Sequence, residues 1–130
     1  MSILAVSGTG GGVVTALAVT TVLCIVANLA ISVADFRRAE FVLANSAEVG
    51  LPPSTIPYLA TLKTAGAAGL AVGFVGLPWL GLAAGIGLVV FFIGAVGAHV
   101  RARVLHNIGF PSLYLLLALC ATAYFAQAVR

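Results

Sequence analysis

Charge is what this chain has least of: six Lys and Arg stand against three Asp and Glu in 130 residues, 7% of the whole. Soluble domains carry about a quarter of their residues as charges. With 62% hydrophobic residues and a mean hydropathy of +1.22, too much apolar side chain is present to hide inside a fold of this size in water. No Asp, Glu, Lys or Arg falls between Met1 and Ala34, or between Thr64 and Val100. Each run exceeds the roughly 18 apolar residues that mark a membrane span. A soluble catalytic domain is thereby excluded, and lipid is the expected solvent.

Other absences narrow the reading further. The basic residues Arg37, Arg38, Arg101 and Arg103 are not interleaved with aromatics, so the net charge of +3 reports membrane orientation and no nucleic acid is expected. Cys24 and Cys120 lie in separate apolar runs without CxxC spacing. They read as small buried apolar side chains that stay reduced. No cluster of His and Cys at ligand spacing occurs, so neither a metal site nor a cofactor is expected. The first apolar segment lacks a basic leader, is too long for a signal sequence and is followed by Asp35-Phe36-Arg37-Arg38, the flank of a retained helix. Gly8, Gly10 and Gly12 have no preceding strand and no following Lys-Ser/Thr, which excludes a nucleotide loop and leaves a disordered lead-in.

What is present reads as an all-α fold: a single transmembrane domain over residues 1–130, built as an antiparallel four-helix bundle. Spans are expected at about 13–34, 56–77, 80–100 and 112–129. Residues Asp35 to Gly50 mix charges with Phe36, Phe41, Val42 and Leu43, which predicts a short interfacial helix between the first two spans. Pro52 and Pro53 break it, and Ser54 is placed to cap the next helix. In the first span Thr15, Thr20 and Thr21 can bond carbonyls one turn back, whereas the amide of Asn28 needs the bundle interior. Small residues recur at Ala65, Gly69 and Gly73, and again at Gly81 and Gly85, predicting that the second and third spans meet closely there.

Arg37, Arg38, Arg101 and Arg103 fall on one side of such a bundle. The positive-inside rule makes loops 35–55 and 101–111 cytoplasmic, with both termini outside, in what is expected to be a bacterial cytoplasmic membrane.

Three stretches, Leu62-Lys63-Thr64-Ala65-Gly66-Ala67-Ala68-Gly69-Leu70, Gly81-Leu82-Ala83-Ala84-Gly85-Ile86-Gly87-Leu88 and Gly94-Ala95-Val96-Gly97-Ala98-His99-Val100-Arg101, resemble the DoxX-like family of small membrane proteins. The Lys in the second helix and the His-x-Arg ending the third are the most telling. The resemblance implies a compact four-helix membrane fold. The resemblance also implies an association with membrane oxidoreductase systems or, as for a distant animal relative, with chaperoning a membrane receptor, and no catalytic set carries over.

Few polar groups sit where lipid makes them costly. Lys63 lies about seven residues, or roughly 10 Å, inside the second span, and Asn28 about as far from the near end of the first. His99 ends the third span and Asp35 the first. Lys63, His99, Asp35 and Asn28 are therefore the candidate catalytic residues, expected around one polar cavity open to the cytoplasmic side. The plainer alternative is that Lys63 snorkels to the headgroups and His99 bonds a carbonyl, while His106 is simply solvated. Two functions follow. The leading one is an accessory or assembly partner of a membrane protein or membrane oxidoreductase system, as a homo-oligomer or docked on that partner. The other is an intramembrane isomerase or hydrolase, opening an epoxide or moving a double bond in a lipophilic small molecule by Lys and His acid–base chemistry.

Overall fold

The computed structural model describes the backbone of residues 3–130 and side-chain surroundings from Gly10 onward. Among the described residues there are five α-helices and no strand: α1 (Ile3–Phe36), α2 (Glu40–Glu48), α3 (Ile56–Phe74), α4 (Pro78–Arg101) and α5 (Gly109–Ala128), with a 3-10 turn at Pro53–Thr55. Three stretches are long and apolar enough to cross a membrane, Gly10–Phe36, Pro78–Arg101 and Gly109–Ala128. α3 has nearly the same length, but Lys63, Pro57 and its glycines lower its hydropathy. Large apolar side chains such as Val26, Tyr58, Trp79, Val90 and Leu116 point outward, a surface suited to an apolar solvent. The chain is an integral membrane protein.

α1 packs on α3 and α5, and α4 packs on α3 and α5, closing a ring of long helices. The core cluster holds Cys24, Leu70, Leu88, Phe92, Ala118, Ala121 and Phe125. Glycine sets the spacing at the end where α3 turns into α4. A methyl group added at Gly69 would stand 2.6 Å from Ala84 Cβ, and one at Gly73 would stand 2.7 Å from Gly81 Cα. Such contacts are far inside van der Waals range, so only glycine lets these backbones approach so closely. The expected pairing of α3 with α4 is only part of this contact. Gly85 lies against Thr122, and Gly81 also meets Phe125, both on α5. α4 packs on α5 no less extensively than on α3.

Two other local expectations are corrected. α1 begins at Ile3 and runs through Gly8, Gly10 and Gly12, which were expected to form a disordered lead-in. Extending a helix that is already nucleated costs far less than starting one, and each glycine opposes it by only about 1 kcal/mol. Ser54 does not cap α3. It lies inside the 3-10 turn, where Thr55 bonds the Pro52 carbonyl and no side chain caps the helix.

The threonines of α1 bond as expected: Thr15 donates to Gly11, Thr20 to Ala16 and Thr21 to Leu17, at 2.7–2.9 Å. Helices α1 and α4 end alike. The Ala39 N–H reaches back to the Ala34 carbonyl, and the Val104 N–H to that of His99, with Arg38 and Arg103 at φ 52° and 59°. These are left-handed helix caps of the kind usually built on glycine.

Candidate functional site

Buried polar groups of α1 lie on one face: Thr21, Cys24, Asn28, Ser32 and Asp35 are spaced three and four residues apart and all are buried. That spacing is one side of a helix. At its end Asp35 meets α3, where Lys63 Nζ forms an ion pair with Asp35 Oδ2. The side chains are 10% and 6% exposed, so Lys63 does not snorkel to the surface. The ammonium also lies 5.8 Å from the centroid of the Phe91 ring on α4, close enough for cation–π attraction. Oδ2 has no hydrogen-bond donor other than that ammonium.

His99, 4% exposed, comes from the last turn of α4. Its Nδ1 donates to the Ala95 carbonyl at 2.8 Å, and that bond fixes the ring. Nε2 lies 3.3 Å from Asn45 Oδ1 on α2, which also accepts from Asn107 Nδ2 at 2.6 Å. An amide oxygen needs a proton on Nε2, whereas the same amide turned end for end would donate to an unprotonated Nε2. Because Asn45 Oδ1 also accepts from Asn107 Nδ2, such a turn of Asn45 requires Asn107 to turn with it. Asn107 Oδ1 is itself buried without a donor.

These groups surround a cavity of about 470 Å³ between the ends of α1, α3, α4 and α5, with α2 supplying part of its wall. Lys63, Asp35, His99, Asn45 and Asn107 all line it. The rest of the wall is mostly apolar, with Phe41, Leu59, Phe91, Phe92 and Phe110 among its contributors. Apolar walls with a few convergent polar groups, in a volume between roughly 300 and 1,000 Å³, are usual for small-molecule sites.

Of the residues singled out from sequence, Lys63, Asp35 and His99 share this cavity, and Asn28 does not line it. Asn28 is fully buried and turns its amide onto its own helix, donating to the Cys24 carbonyl at 2.9 Å; its Oδ1 has no partner. Seven residues separate it from Asp35, so the two share a face but differ in depth by roughly 10 Å. The cavity also differs from the expected polar one, being apolar with a polar end. Asp35 serves Lys63, whereas His99 is held by Asn45, a residue sequence reading passed over. The signal available for Asn45 was an amide on a short helix between two spans, without depth to mark it. His106 is paired rather than simply solvated: its Nε2 lies 3.1 Å from Glu48 Oε2, at an exposed position. Cys24 and Cys120 are free thiols. Among the described residues no group of three or more His, Cys, Asp or Glu side chains could hold a metal ion.

The family model described as the DoxX-like family matches residues 19–121, most of the chain, which therefore belongs to that family. No curated protein and no solved structure matches it.

Proposed function

As a member of the DoxX-like family the chain is a small membrane protein, and we propose that it takes a lipophilic small molecule into the intramembrane cavity and performs proton transfer on it. In this reading α1, α3, α4 and α5 all cross the bilayer and α2 lies in the headgroup layer. Loops 35–55 and 101–111 face the cytoplasm of a bacterial cell, because Arg37, Arg38, Arg101 and Arg103 lie in or beside them. The observation that carries the proposal is the joint burial of Lys63, Asp35 and His99 around one largely apolar space. Ionisable groups inside a membrane are expensive and mark function when they converge.

The chemistry divides between the two sides of the cavity. Lys63, oriented by Asp35, offers N–H groups to an oxygen of the ligand and stabilises negative charge that develops there. His99 Nε2, released from Asn45, accepts a proton from the ligand or from water and returns it. Moving a double bond requires one proton removed from one carbon and one added to another, with nothing consumed. Opening an epoxide consumes one water, whose proton passes through His99 to the new hydroxyl. Mass spectrometry of the protein released intact from mild detergent tests the proposal. A bound lipophile lost from Lys63→Met and His99→Ala is the expected result, and wild-type protein emerging bare would sink it.

A second reading, an accessory or assembly role, draws on a different surface. Gly87, Gly94 and Gly97 on the outward face of α4 have nothing within 4 Å of a methyl group placed on them. That face can accept a close-packed helix of another copy or of a partner protein. Crosslinking between α4 faces in membranes, abolished by Gly94→Leu, is its test.

A further inference from the structure

On the reading that the cavity holds a lipophile, we infer that the site selects an uncharged one, bearing a single oxygen function such as a carbonyl, epoxide or hydroxyl. Lys63 and Asp35 are the charged side chains lining the cavity, and each is the counterion of the other. With side-chain exposures of 10% and 6%, water does little to screen them, and neither can lose its partner cheaply.

An anionic ligand would have to draw Lys63 away, leaving Asp35 buried and unpaired. A cationic ligand would have to draw Asp35 away and leave the ammonium with only the weak attraction of the Phe91 ring. In both cases the ligand also gives up its own hydration for a wall that is largely hydrocarbon. A neutral oxygen escapes these costs. An ammonium has three N–H donors, so one can point at Asp35 while another serves the ligand, and the ion pair stays intact. The balance holds with His99 neutral: Nδ1 keeps its proton on the Ala95 carbonyl, and Nε2 accepts from the Asn45 amide in its turned orientation.

The test uses the full chain in nanodiscs of zwitterionic lipid, with three probes of one alkyl chain length: a methyl ketone, a sulfonate and a primary ammonium. Binding is read from the shift of the thermal unfolding midpoint as each probe is titrated. Wild type is expected to bind the ketone roughly tenfold or more tightly than either charged probe, a difference of about 1.4 kcal/mol. Asp35→Asn unpairs Lys63 and moves the preference to the sulfonate. Lys63→Met unpairs Asp35 and moves it to the ammonium. The double variant Lys63→Met/Asp35→Asn is neutral again and rejects both charged probes. A charged probe binding best to wild type overturns the inference, as does an unchanged ranking in both single variants; if those do not fold, the wild-type ranking decides. Stabilisation by none of the three probes removes the lipophile-binding reading itself, which separates its failure from that of the charge rule.

Discussion

The two ends of the helix ring are built on opposite plans. Where α3 turns into α4, glycine draws the backbones together and Phe125 fills the remaining space against Gly73 and Gly81. At the other end the same helices separate around a cavity lined by α2 and by Phe91, Phe92 and Tyr114. In lipid there is little hydrophobic force to press helices together, so close contact is set by how near the backbones can come. The glycine end gains that contact. The cavity end gives it up and is held by an ion pair and a chain of amides instead. One end is specified by shape and the other by polarity, and they should fail in different ways.

The largest effect is expected at the polar end. Lys63→Met leaves Asp35 buried without a counterion and should lower unfolding stability by about 3–5 kcal/mol. Adding Asp35→Asn should restore most of it, measured by reversible denaturation in mixed micelles. A loss under 1 kcal/mol would show that the ion pair is solvated and that the ends are not so different. Next, Gly73→Ala forces a methyl group to within 2.7 Å of Gly81 Cα and of the Phe125 ring. A backbone atom cannot yield as a side chain can, so overpacking should cost about 1–3 kcal/mol by the same assay. No cost there would mean that glycine does not set the spacing.

A smaller effect is expected where the polar end is fastened by amides. Asn45→Ala removes the groups that hold His99 Nε2 and Asn107 together, for about 1 kcal/mol. It should also speed amide exchange in α2 while α3 and α5 are unaffected. Exchange unchanged in α2 would mean that other contacts hold it. The smallest change is the control on the outward face: Gly94→Ala meets nothing within 4 Å and should stabilise α4 by about 0.5 kcal/mol through helix propensity alone. If it costs as much as Gly73→Ala, glycine acts through something other than close approach.

Depth was the legible coordinate in this sequence, and rotation was not. Counting residues from the charged loops brings Asp35, Lys63 and His99 to one level of the membrane. The threonine bonds of α1 are local and need no knowledge of neighbours. Which face of α4 each glycine occupies depends on rotation, and in a chain this uniformly apolar no polar stripe marks it; hence Gly85 was assigned to α3 although it meets Thr122 of α5. Asn28 illustrates the same limit from the other side. Its burial follows from its amide, but its distance from the cavity follows from its place two turns up α1. Asn45 could not be ranked at all, since a nine-residue helix outside the long apolar runs carries no ruler against which depth can be read.

The arginines that close α1 and α4 carry a consequence for how the protein is made. Arg38 and Arg103 hold left-handed backbone angles that cost a side-chain-bearing residue about 1 kcal/mol more than glycine. Glycine there would therefore make the finished fold more stable. It would also remove a positive charge beside a hydrophobic segment, which is what the insertion machinery reads when it decides which loop to retain. On the orientation proposed above, arginine at these two corners spends stability of the mature protein on the fidelity of its biosynthesis. Double replacement by glycine should yield molecules that melt later but emerge with a larger fraction inserted upside down.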